Sequence, residues 1–275
     1  MPDQLFDAFS RDLVFALDIC EQASKLALHY YLNGVEAVEK EDGSPVTVAD
    51  KKCERLIREA INSRYPDDAI LGEEEGESEG ATTSGGSTDV VQKSTKKRRW
   101  ILDPIDGTYG FVRKIPVWAL LLALEEDDDI IMGVISAPAV GDVYWAEKGR
   151  GAFKNGDRIT VSKIDQMATA QFEFGGLNRI FDAGYREGFA KIVSRTYRQR
   201  GFGDYLGFAH VFEGKAEAHL EVGVKPWDLA PMKILAEEAG GKFSDMDGGS
   251  SLYKGSCLVS NGVLHTEFFD LLRSK

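Results

Sequence analysis

The chain has 275 residues, 45 acidic against 33 basic side chains and a formal net charge of -12, with 43% apolar and 28% charged residues. Those proportions suit a globular protein with one large core or two packed subdomains, and so acidic a chain excludes general nucleic-acid binding, because a phosphate backbone rewards basic surfaces. The carboxylate surplus fits either plain solubility or the collection of metal cations.

Phe6, Phe9, Leu13, Leu17, Cys20, Ser24, Ala27 and Tyr31 mark one face of a long helix ended by Asn33-Gly34. A second helix is predicted over 48–64, stopping before Pro66, and a short apolar element, Ala69-Ile70-Leu71, leads into Gly72-Glu73-Glu74-Glu75. Residues 76–99 are rich in Gly, Ser and Thr and read as a flexible surface loop, with the basic run Lys96-Lys97-Arg98-Arg99 as its solvated end rather than a nuclear signal. Trp100-Ile101-Leu102 reads as a buried strand that delivers Asp103 to an edge. The runs 117–124 and 130–136 form a hairpin around the acidic, solvated turn Glu125 to Asp129, and alternation continues through 143–146, 151–153 and 159–161. Beyond about residue 165 the order is strand 169–174, helix 184–195, helix 204–213, strand 216–221, helix 228–239, strand 257–260 and helix 263–272. The expected fold is α/β in layers, two sheets sandwiched by helices, with no internal repeat. It divides into an N-terminal α+β subdomain over 1–165 and a C-terminal α/β subdomain over 166–275.

Several motifs fail. Cys20, Cys53 and Cys257 are odd in number, far apart and without a CxxC pair, which points to a reducing compartment and no zinc knuckle. The N-terminus lacks a basic region followed by an apolar stretch, and no window approaches the ~18 apolar residues of a membrane span, so the chain is read as cytoplasmic with no membrane partner. Gly76-Glu77-Ser78-Glu79-Gly80 spells a nucleophile elbow but sits in low-complexity sequence, where the strand-turn-helix context is missing. Gly201, Gly203 and Gly207 miss the dinucleotide fingerprint at Leu206, and Asp245-Met246-Asp247-Gly248 lacks the later glycine and glutamate of a calcium loop, so a turn is expected. His29, His210, His219 and His265 have no ligand spacing and read as surface or helix-packing residues.

What remains is Asp103-Pro104-Ile105-Asp106-Gly107-Thr108. Two carboxylates three residues apart at a strand end, with Pro between them and Gly-Thr after, would lie on one side of a tight turn, with free backbone N–H groups opening a helical turn. Such oxygens suit a hard cation such as Mg²⁺, and the apolar runs on either side argue that the turn is held inside the protein, where unpaired acids are costly. Glu73 ends the preceding strand. Asp228 opens a helix in which Pro231 is tolerable only within the first turn. Glu, Asp-x-x-Asp and Asp at three element termini form a set that can hold two or three such ions.

These residues carry a resemblance. Ser44-Pro45-Val46-Thr47-Val48-Ala49-Asp50, Gly72-Glu73-Glu74, Trp100 to Thr108 and Trp227-Asp228 to Gly241 resemble, in order and interval, the signature blocks of the inositol monophosphatase family of Mg²⁺-dependent phosphatases, over essentially the whole chain. Phe111 to Ala119 and Arg200 to Tyr205 most resemble its histidinol-phosphatase branch, whereas Ser44 to Thr47 equally resembles the branch that cleaves 3'-phosphoadenosine 5'-phosphate. The resemblance implies an αβαβα sandwich of the inositol monophosphatase/fructose-1,6-bisphosphatase type, two or three Mg²⁺ per site and a homodimer. Glu73, Asp103 and the carbonyl of Ile105 are expected to hold one ion, Asp103, Asp106 and Asp228 a second, with Glu73 reaching a third through waters. Thr108 paired with Asp50 would orient and deprotonate the attacking water, Thr47 would support the Asp50 turn, and the N–H groups of Gly107 and Thr108 would bind phosphate oxygens. Glu221 falls where the family contacts the leaving group, and Asp204 faces the same region unless it merely caps its helix. Two acids there suit a cationic amine or imidazolium. No covalent phosphoenzyme is implied, and no cysteine or histidine is required.

The expected function is therefore hydrolysis of a small phosphorylated metabolite, L-histidinol phosphate first, with inositol 1-phosphate and 3'-phosphoadenosine 5'-phosphate as rivals. The nucleotide needs a second basic subsite, and nothing groups the candidates Arg186, Lys191 and Lys225. A catalytically dead relative that only binds metal or phosphate would have lost a ligand or Thr108, and none is lost.

Overall fold

The computed structural model describes residues 9–40, 43, 45–80 and 97–274, so Phe6 at the predicted helix start, Ser44, and residues 81–96 of the predicted loop lie outside the described residues. Two compact units, Met1–Val143 and Tyr144–Lys275, make up the chain, where the sequence reading divides it at 165/166.

In the first unit, helix α1 (Arg11–Asn33) starts where the Ser10 hydroxyl accepts the Leu13 N–H at 3.1 Å, satisfying a donor that the helix itself leaves free. Leu13, Ala16, Cys20, Ala23 and Ala27 form its buried stripe. A small hairpin, β1 (Ala37–Glu39) and β2 (Pro45–Thr47), which the sequence reading lacks, leads into α2 (Val48–Arg64). The sheet strands are β3 (Ala69–Gly72), β4 (Gly76–Ser78), β5 (Arg98–Asp106), β6 (Ala119–Glu126) and β7 (Asp129–Ala137), with the short helix α3 (Thr108–Val112) after β5. Within this unit they lie in the order β7-β6-β5-β3-β4, with β3 and β5 parallel and the other neighbours antiparallel. Trp100, Ile101, Leu102 and the run Leu120 to Leu124 are fully buried, which is why this stretch reads as continuous apolar sequence.

The predicted loop 76–99 is corrected at both ends. Gly76–Ser78 pairs with β3, and Arg98 and Arg99 already belong to β5. The two arginines are not solvated: Arg98 reaches Asp12 at 2.9 Å and Asp68 at 3.1 Å, and Arg99 reaches Glu125 at 2.6 Å. Glu125, expected in a solvated turn, is thereby a buried member of β6.

The second unit contains a meander of β8 (Asp142–Glu147), which opens at the division, β9 (Gly151–Lys154) and β10 (Asp157–Ile159). Its own sheet is built from β11 (Gln171–Phe174), β12 (Arg198–Arg200), β13 (Ala218–Val222), β14 (Lys242–Asp245) and β15 (Ser256–Ser260), in the order β12-β11-β13-β15-β14. The helices are α4 (Leu177–Asp182), α5 (Arg186–Arg195), α6 (Asp204–Phe212), α7 (Pro226–Glu238) and α8 (His265–Arg273). Ala218, Leu220 and Val222 of β13 join a core with Phe189, Ile192 and Phe268 from α5 and α8. Because side chains alternate across a strand, His219 and Glu221 face the other side, where Phe208 of α6 meets the His219 ring. The histidine is thus buried on a strand and packs against helix α6, the helix-packing alternative expected for it.

Helix α7 begins at Pro226, two residues before the predicted start, so Pro231 lies beyond the first turn and cannot donate to the Trp227 carbonyl. Among the described residues no helix is long and apolar enough to cross a membrane. All three cysteines are free and buried.

Candidate active site

The sequence reading ends a strand at Asp103 and starts a turn there. Instead β5 continues to Asp106, and its register against β6 shifts: Asp103 pairs with Leu121 and Asp106 with Ala119. Pro104 and Ile105 therefore oppose Leu120 alone, which is a β-bulge, and a proline suits it because it has no N–H to offer the ladder. In an unbroken strand residues three apart face opposite sides. The extra residue cancels that offset and brings carboxylate oxygens of Asp103 and Asp106 within 4.8 Å of each other. Asp103 is 2% exposed and accepts the Ile105 N–H at 2.9 Å. Two acids so close, one of them almost unhydrated, call for a compensating cation, and an all-oxygen donor set fits a hard one such as Mg²⁺.

Strand pairing brings Glu73 toward them, but its carboxylate is held by Lys40 and does not join the Asp103–Asp106 cluster. Gly72 lies opposite Leu102 in the parallel β3–β5 pair, so Glu73, just past the carboxyl end of β3, falls level with Asp103 within β5. The turn at Glu73 is held from α2: the Glu54 carboxylate accepts the N–H groups of Glu74 at 2.8 Å and Glu75 at 3.0 Å and pairs with Arg58 at 2.8 Å. Gly72 is required here, because a side-chain carbon would sit 2.7 Å from Glu54 Cδ and 2.8 Å from an Arg58 nitrogen. Asp50, Glu54 and Arg58 are spaced by four and share one helix face, a signal present in the sequence and unused there beyond Asp50. Lys40, just after β1, was missed without any sequence signal. Its ammonium reaches Glu73 at 2.8 Å and Glu74 at 2.6 Å. Although burial works against its charge, the two carboxylates hold it above the usual lysine range, while burial pushes Glu74 up to about 6 against the pull of Lys40.

Asp50 and Thr108 meet as expected. The Thr108 hydroxyl lies 3.2 Å from Asp50 Oδ1 and 2.9 Å from the Ile105 carbonyl. The other Asp50 oxygen accepts both the N–H and the hydroxyl of Thr47, at 2.8 and 2.6 Å, in the capping box that starts α2. Burial raises the Asp50 carboxyl and the Thr47 bonds oppose it. Gly107 sits at φ +81°, a left-handed conformation that turns the chain from β5 into α3.

In the second unit, Asp228 occupies the third position of α7 and accepts the Lys225 N–H at 2.8 Å. Asp204 does not cap α6: Gly203 is the cap, no side-chain cap bond forms, and Asp204 is the first helical residue at a left-handed φ of +53°. Asp204 is exposed to solvent on one side; desolvation by the surrounding protein first, and then the Glu221 carboxylate, push its carboxyl up to about 6, against Arg179. Glu221 lies over Gly175, where any side-chain carbon would collide with its carboxylate. Of the basic residues considered for a second, nucleotide-binding subsite, Arg186 stacks on Phe181 and Lys191 bonds Ser274.

A model of the inositol monophosphatase family matches residues 10–275. The histidinol-phosphatase of Mycobacterium tuberculosis is 37% identical over 269 residues, 96% of this chain and 98% of that protein. The fructose-1,6-bisphosphatase/inositol-1-monophosphatase of Thermotoga maritima is 31% identical, with 93% of each chain covered. Among solved structures, the extragenic suppressor protein suhB of Bartonella henselae superposes with a TM-score of 0.85 at 25% identity, covering 96% of this chain and 99% of that one.

Proposed function

The chain belongs to the inositol monophosphatase family of phosphatases, and from that premise we propose that it hydrolyses L-histidinol phosphate to L-histidinol and phosphate. The observation that carries the substrate is the Asp204–Glu221 pair: Asp204 is solvent-exposed at the start of α6, Glu221 is buried, and partial desolvation together with the Glu221 carboxylate raises the Asp204 carboxyl. A cationic leaving alcohol relieves that repulsion and a neutral polyol does not. The histidinol-phosphatase relative supports the same choice.

Glu73, Asp103, the Ile105 carbonyl, Asp106 and Asp228 would hold two or three Mg²⁺. When bound, Mg²⁺ supplies charge neutralisation for the phosphate and lowers the pKa of the attacking water. The residues of the chain do the rest. Thr108, with Asp50 Oδ1 as its outward acceptor, orients the water and passes its proton on, and Thr47 keeps the second Asp50 oxygen occupied so that only one faces Thr108. The N–H groups of Gly107 and Thr108 receive phosphate oxygens, and Asp204 with Glu221 receives the leaving group.

The test is kcat/KM on histidinol phosphate, inositol 1-phosphate and 3'-phosphoadenosine 5'-phosphate at saturating Mg²⁺. Preference for histidinol phosphate of at least tenfold is expected. Preference for either of the other two overturns the substrate assignment and leaves the phosphatase chemistry standing.

A further inference from the structure

The sequence gives His219 no role, yet its placement is specific. The ring is fully buried on β13, with Nε2 3.2 Å from Glu221 Oε2 and the Phe208 ring edge-on at 4.4 Å. Its Nδ1 is buried and has no hydrogen-bond partner among the described residues. Two glycines make room for the pair. A side-chain carbon on Gly207 of α6 would run into the His219 ring, and one on Gly175 would run into the Glu221 carboxylate. Gly203 in turn packs against Gly175, where a side-chain carbon would lie 3.7 Å from the Gly175 α-carbon, and the next residue is Asp204. The order in space is therefore Gly207, His219, Glu221, Gly175, Gly203 and Asp204.

Hydrogen bonding decides which ring nitrogen carries the proton. A carboxylate only accepts, so the nitrogen that faces Glu221 is the donor. The tautomer with its proton on Nε2 leaves no buried donor unsatisfied, whereas a proton on Nδ1 would have no acceptor. An apolar residue of similar volume would fill this space without a bare nitrogen. What the imidazole adds is a fixed donor to one Glu221 oxygen.

We propose that His219 is a positioning residue: its Nε2–H pins the Glu221 carboxylate beside Asp204, so that the two acids together select a cationic group on the alcohol released from the phosphate. This rests on the substrate assignment made above and extends it to a residue that itself touches no substrate. Arg179, whose guanidinium lies 3.4 Å from the Gly223 carbonyl, is a cation that opposes the charge on Asp204.

The experiment compares His219→Phe, which keeps a ring and removes the donor, with His219→Gln, which keeps an N–H donor, on histidinol phosphate and on inositol 1-phosphate. His219→Phe is expected to raise KM for histidinol phosphate about tenfold with kcat within threefold of wild type, to leave inositol 1-phosphate kinetics unchanged, and to be rescued in His219→Gln. Equal losses on both substrates, or the same loss in both variants, would show a packing role only and overturn the proposal. If the Phe variant does not fold, long-range proton–nitrogen spectra of the wild-type enzyme decide: a proton on Nε2 supports the assignment and one on Nδ1 rejects it. Wild-type preference for inositol 1-phosphate defeats the substrate assignment instead, before any variant is made, so the two failures are distinguishable.

Discussion

Asp204 enters α6 at φ +53° with its carboxyl held up to about 6, so this one residue carries backbone strain and a charge penalty together. The native chain keeps its Asp204 proton to higher pH than the unfolded chain does. The Asp204 contribution to stability is therefore fully present below the unfolded value of 3.8 and is lost as pH rises through about 6, and because Asp204 is solvent-exposed, water screens that contribution to well below what the shift alone would give. Asp204→Asn should stabilise the protein by no more than about 1 kcal/mol at pH 7.5 and by less at pH 4, while weakening histidinol phosphate binding. Urea denaturation at both pH values checks it, and a gap that does not grow with pH would refute the charge account. Thr108 gives a second case. Thr108→Val should lower kcat roughly 10²-fold or more while Mn²⁺ affinity, read by spin-resonance titration, stays within threefold, and Thr108→Ser should keep most activity. A large loss of metal affinity in the valine variant would instead make Thr108 a support for the Ile105 carbonyl, with which it also bonds.

Elements decide where these residues point. The bulge in β5 places Asp103 and Asp106 on one side, and the Glu54–Arg58 pair on α2 clamps the turn that follows β3. Gly72 is the tightest point of that clamp. Gly72→Ala should displace Glu54, cost about 1–3 kcal/mol by stripping the Glu74 and Glu75 N–H groups of their acceptor, and weaken Mg²⁺ binding along with stability. Calorimetric Mg²⁺ titration with a urea melt tests both, and wild-type values in the two together would show that the turn holds itself. The longer elements were legible in advance. α2 and the β6–β7 pair follow the predicted apolar runs, because length lets a period show. The missed ones, β1, β2, β4, β12, β14 and α4, have three to six residues, too few for any period, and form because neighbouring strands and helices complete them.

At the scale of the whole molecule, the charge of -12 acquires a division of labour. Many acids are neutralised by arginines and lysines, as Asp12, Asp68 and Glu125 are by Arg98 and Arg99. Asp103 and Asp106 form an all-acid cluster suited to a divalent cation. Mg²⁺ should therefore raise the melting temperature steadily with its concentration, on the order of 3 kcal/mol at a hundredfold excess over Kd, whereas NaCl at matched ionic strength should not. Scanning calorimetry across a Mg²⁺ series tests this, and an identical response to NaCl would reduce the effect to screening.

Much of the candidate site was legible in the chain because it uses particular residue types at short spacing: Glu73, Asp103, Asp106 and Asp228 stand out before any fold is known, Asp50 and Thr108 join them by family resemblance, and an Mg²⁺-dependent phosphatase is what that resemblance implies. How those groups are aimed was not legible. A bulge arises from one residue of mismatch against a strand lying more than a dozen residues away, and Lys40 meets Glu73 across 33 residues of chain. His219 looked inert for the same reason, since its partner tautomer, its unpaired nitrogen and the glycines that admit it exist only once β13 is packed under α6. Local sequence specifies which groups are present, and long-range packing specifies their direction and their hydration, which together set what each group can do.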